Sequence, residues 1–261
     1  MKPPSATARG FTILELMVAM AIFLVICGAM FALLQLSQQR YSSETQMSGS
    51  FQEARLGIDQ IVRDINMSGY PSLGMFSKAS FPANYALSPF AWDPGYTNTP
   101  PTTCQVGLTC NPTPGDFDLI VETNIGTGVS WIRYQLIGTT LYRTVVLKTA
   151  GTDPVAATSL ATAMTPFVEN VMNNVPDPLL SQITAQYPSM FPTGPVPIFQ
   201  YTCATPSGPQ PCTLATGYNA PQNISDVDIV LIVKTPQTDA QTHALQLIEL
   251  TGRGHRSNPS N

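Results

Sequence analysis

The sequence predicts an α+β protein: a long N-terminal α-helix, transmembrane in its first half and amphipathic in its second, packed on a C-terminal antiparallel β-sheet with long Pro-rich loops. Three observations lead there. From Leu16 to Leu34 run 19 residues without charge or proline, close to the ~20 a helix needs to cross a bilayer core. Beyond them Phe51, Ala54, Ile58, Ile61, Val62 and Ile65 recur at steps of three and four, the single apolar face of an amphipathic helix. From residue 116 onward, short β-branched segments alternate with connections rich in Gly, Pro, Ser and Thr.

The helix comes first. No proline interrupts the chain between Phe11 and Tyr70, so one helix is expected from about residue 11 to about 68, roughly 87 Å at 1.5 Å per residue. Gly69 and Pro71 end it. Gly28, Gly49 and Gly57 read as its weak points, and Ser42-Ser43 and Ser48-Gly49-Ser50 as places where it loosens. The expected division is a leader at 1–10, a transmembrane half at 11–34, an amphipathic half at 35–70 and a globular β-sheet head at 71–261.

Within the head, residues 71–114 read as loop with scattered aromatics at Phe76, Phe81, Tyr85, Phe90, Trp92 and Tyr96. Aromatics at that density belong to a loop packed on its domain, not a disordered linker. Strand patterns occupy Asp116 to Thr123, Val129 to Ile137 and Thr140 to Leu147, the last two joined as a hairpin by Gly138-Thr139. Segments of unassigned type follow at Phe167 to Met172 and Leu179 to Tyr187. Further strands are expected at Pro197 to Thr202, Asp226 to Lys234 and Ala244 to Thr251. Val227, Ile229, Leu231 and Val233 share one face of the middle one and Val230 and Ile232 the other, which marks a central strand.

Composition narrows the function classes. Among 261 residues 11% are charged and 24 are proline, and the net charge is −4, becoming −6 once Lys2 and Arg9 leave with the leader. No basic patch remains to attract nucleic acid or anionic lipid. Lys2 and Arg9 precede the apolar run, so the N-terminus is expected in the cytoplasm and everything after Arg40 on the far side.

Five cysteines divide into one plus four. Cys27 lies in the apolar run as a small apolar residue. Cys104, Cys110, Cys203 and Cys212 lie in exported loop sequence where disulfides form. Of the three possible pairings, short loops favour Cys104 with Cys110 and Cys203 with Cys212. Neither spacing is C-x-x-C, and His243 and His255 lie far from both pairs, so no metal site and no cofactor are expected.

The sequence holds no H-E-x-x-H, no G-x-S-x-G and no phosphate-binding Gly loop. His243 falls between two expected strands and His255 in a polar tail, both as solvated surface. Asp116/Asp118 and Asp226/Asp228 have the composition of paired carboxylates or calcium ligands, but their spacing of two suits residues that open a strand. The protein is therefore expected not to be an enzyme.

Glu15 is the one ionisable residue inside the apolar stretch that opens at Phe11. A carboxylate costs about 2.5–3.5 kcal/mol at the centre of a membrane helix and less near its end, so it calls for a partner. A secretory signal peptide would be cut after the apolar core, near Ala19-Met20-Ala21 or Gly28-Ala29; a lipoprotein would use Cys27, which follows the bulky Ile26. A plain signal anchor would carry Glu15 as an incidental acid favoured by the helix dipole.

The register Gly10-Phe11, then Glu15, then Leu16-Met17-Val18-Ala19-Met20-Ala21-Ile22-Phe23, resembles the prepilin signature of type IV pilins and type II secretion pseudopilins. That resemblance implies cleavage after Gly10 by prepilin peptidase, N-methylation of Phe11, and an assembly role for Glu15, whose carboxylate answers the freed amine of its own or a neighbouring subunit. Glu53 to Ile65 with Ser68-Gly69-Tyr70, Val129 to Arg143, and a last strand finishing near Leu250-Thr251-Gly252-Arg253 look like PilW-type minor pilins. The resemblance implies a minor pilin in the filament or its priming and tip complex. Its partners would be other pilin subunits through the N-terminal helix, prepilin peptidase, and the inner membrane before assembly. It would be single-pass with a periplasmic head, and extracellular in the pilus afterwards. The alternatives are a J-class pseudopilin of a type II secretion system and a signal-anchored exported enzyme or carbohydrate-binding protein.

Overall fold

A computed structural model describes residue 10 and residues 12–72, 86, 88–92, 104–148, 164–175, 179–192, 194–235 and 245–258. Residues 1–9 of the expected 1–10 leader, and Phe11, Phe76, Phe81, Tyr85, Tyr96 and His243, lie outside the described residues.

Helix α1 runs Ile13–Asn66, 54 residues in one element, with the apolar and amphipathic halves continuous. It ends as its sequence dictates: Met67 N–H donates to the Arg63 carbonyl at 3.1 Å, and Gly69 takes a positive φ of 75°, a left-handed conformation that glycine adopts without a Cβ penalty. Gly69 N–H then donates to the Glu122 carbonyl at 2.8 Å, tying the exit of the helix to the sheet.

The expectation of one sheet is corrected: the strands form two four-stranded antiparallel sheets. The first holds β1 (Asp118–Asn124), β2 (Val129–Ile137), β3 (Thr140–Leu147) and β4 (Thr165–Val168) in sequential order. The second has the order β6-β5-β7-β8, from β5 (Phe199–Cys203), β6 (Gln210–Pro211), β7 (Ile224–Lys234) and β8 (Leu247–His255). The β2–β3 hairpin pairs Ile137 with Thr140 around Gly138 at φ 62°, a backbone angle that suits glycine. The sheets are stitched together by a Val171–Val233 bridge and by the Asp116 carbonyl, which accepts from Ile198 N–H at 2.8 Å. Alternation within strands says which residues face inward but not which strands are neighbours, so the second sheet was not legible.

Other boundaries moved for local reasons. Asp116 and Phe117 precede β1 because the Asp116 carbonyl is engaged by the β5 side. Leu179–Gln186 forms a short helix, α2. The last strand begins at Leu247 and continues to His255, past the expected end at Thr251, so His255 closes a strand and is not part of a polar tail.

The core lies between α1 and both sheets. Ala54, Ile58, Ile61 and Ile65 of α1 meet Leu119, Val121, Ile132 and Leu141 of the first sheet and Phe199, Val227, Ile229 and Leu231 of the second. Each Val, Leu, Ile or Phe among them contributes about 1.5–3 kcal/mol when taken from water. β7 is central and buries both faces: Ile232 packs with Met172, Ile183 of α2 and Phe191 in a second cluster. The loop aromatics Phe90 and Trp92 are buried, as a packed loop requires.

Close approach of the helix depends on glycines. A Cβ at Gly252 would sit 2.4 Å from Ile58 Cγ2, and one at Gly254 would sit 2.6 Å from Ile65 Cγ2. Gly57, expected to weaken the helix, is instead the point where Val168 of β4 approaches, at 2.5 Å from the position of a Cβ.

Candidate functional site

The site with the clearest sequence signature is the start of α1. Thr12 is its N-cap, with extended backbone at φ −78° and ψ 150°. Glu15 N–H donates to Thr12 Oγ1 at 3.3 Å, while Glu15 Oε2 accepts from Thr12 N–H and from Thr12 Oγ1, both at 3.0 Å. This reciprocal capping box satisfies two backbone donors that a helix start leaves orphaned. It was readable as Thr12-x-x-Glu15 ahead of an apolar run, and the sequence reading missed it. It gives Glu15 a structural duty beside any assembly role: the carboxylate is held against the backbone one residue after Phe11. Gly10 is exposed, and a Cβ there would meet nothing within 4 Å.

Behind this start, the helix surface has no cover. Ile13, Leu14, Leu16, Met17, Phe23, Leu24 and Phe31 are all exposed, and no residue of α1 before Ala54 is buried. Its length and apolar composition suffice to cross a membrane.

Where α1 meets the head, the sequence reading missed a polar clamp. Asp64 lies on the buried face, and its Oδ2 accepts from Tyr134 O–H at 2.5 Å and from Arg143 Nη2 at 2.9 Å, while Oδ1 accepts from Gln60 Nε2 at 2.8 Å. Arg143 Nε also donates to the Tyr134 hydroxyl at 3.0 Å. Burial, with the Asp64 charge beside it, pushes the Tyr134 phenol far above its ordinary value and keeps it a donor. An acid next to Arg63 reads as solvated surface unless the partner from β2 is known. Two further buried pairs brace the first sheet: Lys148 with Glu122, both fully buried, and Arg133 with Asp118, where Arg133 Nε donates to Asp118 Oδ1 at 2.9 Å.

These contacts decide the fate of the candidate carboxylates. Asp118 is taken up by Arg133 and by Gln135 Nε2 at 2.9 Å. Asp226 accepts from Arg253 Nε at 3.3 Å and from the Ser225 hydroxyl at 2.8 Å, and lies 2.9 Å from His255 Nδ1. Burial raises the Asp226 pKa, but the hydrogen bonds from His255, Ser225 and Arg253 outweigh it and leave the carboxyl below its ordinary value. Neither pair gathers metal ligands, and among the described residues no group of three or more His, Cys, Asp or Glu side chains does so.

The four head cysteines form Cys104–Cys110 and Cys203–Cys212, each with Cα atoms 4.8 Å apart. Cys27 is free and lies in the apolar run. The Cys104–Cys110 loop touches the segment that follows Cys212: Val106 N–H donates to the Asn219 carbonyl at 2.8 Å, and a Cβ at Gly107 would lie 2.6 Å from Thr213 Cγ2.

A family model described as "Prokaryotic N-terminal methylation motif" matches residues 6–31. No curated protein and no solved structure matches the chain. The matched segment contains Gly10, Phe11, the Thr12–Glu15 cap and the exposed apolar turns, followed by the rest of a single 54-residue helix and an antiparallel head. That N-terminus is the methylation motif of type IV pilin-like prepilins, and it marks the chain as a prepilin substrate of the pilin or pseudopilin type.

Proposed function

We propose that the protein is a minor pilin: a membrane-anchored precursor that is cut after Gly10, methylated on Phe11 and incorporated into a type IV pilus, in its priming or tip complex. One observation carries the reading. The chain folds a head over the second half of α1 and leaves the first half apolar and bare on every side. Such a surface is at rest in lipid. Out of lipid it must meet helices like itself, since exposure to water costs about 25 cal/mol per Å².

Glu15 gives that transfer a direction. Cleavage after Gly10 would free an α-amine on Phe11, beside the carboxylate that the cap holds at Thr12. An amine and a carboxylate leaving water together, on one subunit or between two, each offset part of the other's desolvation cost. On this reading the head works by binding and assembly, not catalysis. It faces the periplasm before assembly and the exterior afterwards, with cystine loops suited to oxidising surroundings.

The test is a pair of chromosomal variants scored for two phenotypes. Changing Gly10 to Val should leave an unprocessed chain and abolish or sharply reduce surface pili; Glu15→Ala should be processed but poorly incorporated. Loss of protein secretion with normal piliation would assign the chain to the pseudopilins instead. An unprocessed Gly10 variant with both phenotypes intact would refute a role in either filament.

A further inference from the structure

The head contains a cleft that the assembly role does not use. It encloses about 710 Å³ where the Cys104–Cys110 loop, the start of β1 and strand β5 converge, with Cys110 and Cys212 both in its wall. That volume lies within the range of small-ligand sites. We propose that this cleft binds an uncharged carbohydrate chain, with the Asp116 carboxylate and the Gln135 and Gln200 amides as hydrogen-bonding groups and the Tyr201 and proline rings as apolar walls.

The lining excludes several ligand classes. Among the described residues that line it there is no Lys, Arg or His. A phosphate, a sialic acid or a uronic acid would therefore enter with nothing to neutralise it. A wholly apolar ligand is disfavoured too, because it would cover Asp116. No described donor pairs with the Asp116 side chain, while its backbone carbonyl is held by Ile198 and Phe199 N–H at 2.8 and 3.1 Å. Surrounding protein already raises the Asp116 carboxyl above its ordinary value. The neighbouring acid Asp118 is satisfied by Arg133 and Gln135, which leaves the Gln135 amide oxygen for a ligand.

What remains is a donor-rich, neutral ligand with alternating hydroxyl and C–H surface. Planar carboxylate and amide groups present two atoms at the spacing of adjacent hydroxyls. Pro112 and Pro211 and the Tyr201 ring offer apolar faces to sugar C–H groups. Tyr201 is fixed in place, its hydroxyl donating to the Gly115 carbonyl at 2.7 Å. The rims are stiffened by both disulfides and by the Val106–Asn219 bond, so little conformational freedom is lost on binding.

The inference is independent of whether the filament is a pilus or a pseudopilus. It is tested on the full mature chain in a detergent without a sugar headgroup. Cellotriose, xylotriose, maltotriose and chitotriose are titrated by saturation-transfer NMR and calorimetry, alongside a blocked Gly-Lys-Gly-Lys-Gly peptide. At least one trisaccharide should bind, and Asp116→Asn and Gln200→Ala should each weaken it about tenfold, the loss of one good hydrogen bond. Ile125→Ala, at an exposed position in the β1–β2 turn that does not line the cleft, should not change binding. Thermal melting of each variant separates lost binding from lost folding. Binding of the lysine peptide but of no sugar, binding of neither, or sugar binding unmoved by both cleft variants would each overturn the proposal.

Discussion

The two halves of α1 have the same backbone and opposite surroundings. Around Phe23 and Leu24 every side chain faces outward, whereas Ala54, Ile61 and Ile65 are completely buried under the sheets. The sequence records the difference as the absence or presence of a period. Where lipid or sister helices surround the helix, any apolar residue will serve and no face is marked; where one domain covers it, the residues at steps of three and four are fixed. The covered half is also specified by pairs. Asp64 needs Tyr134 and Arg143, and Gly252 and Gly254 must be small for Ile58 and Ile65 to fit. Head and span should therefore fail separately.

The largest effect is expected at Lys148. Replacing it with Met breaks the buried pair with Glu122, which costs about 3–5 kcal/mol and should show as a large fall in the denaturation midpoint of the head. Asp64→Ala should come next. It strands the Tyr134 hydroxyl and the partly exposed Arg143, costs about 3 kcal/mol, and should expose the α1–head junction to hydrogen exchange ahead of the sheets. Gly254→Val forces a branched side chain against Ile65 and should cost about 1–3 kcal/mol, with faster exchange along β8. If any of these also released the chain from membranes, the two halves would not be independent.

The converse is a small effect on the head from changes in the span. Leu24→Ala or Glu15→Ala should leave the head midpoint within about 0.5 kcal/mol, as expected of distant sites. Thr12→Ala removes the cap and should cost about 1 kcal/mol in the first turn alone, measured as faster amide exchange at Glu15 and Leu16.

The smallest effect concerns acid. Asp226 has a folded pKa below its ordinary 3.8, so its contribution to stability is complete above that value and fades as pH falls through the lower folded value. Asp226→Asn should be less stable than the parent at pH 5–7, and the gap should close as pH falls below 3.8. A gap that widened on acidification would reverse the assigned sign.

How much of this was legible depended on whether the information is local. The β2–β3 hairpin could be read to the residue, because alternation and Gly138-Thr139 lie side by side. β7 declared both buried faces through Val227 to Val233, and α1 was readable from an apolar run followed by a three-and-four period with no proline in either. The second sheet, the extension of β8 through two glycines, and the Asp64 clamp depend on residues distant in sequence, so nothing nearby marked them. The Thr12–Glu15 cap is the exception: it was local, a Thr three residues before a Glu at the head of an apolar run, and that spacing alone marks it.

The most direct measurement is the intact mass and N-terminal sequence of the chain isolated from its native membrane or filament. The account predicts a chain that begins at Phe11, carries one added methyl group on its amine and retains the whole of Ile13–Asn66. A chain beginning at Met1, or one cut beyond Leu34, would contradict it.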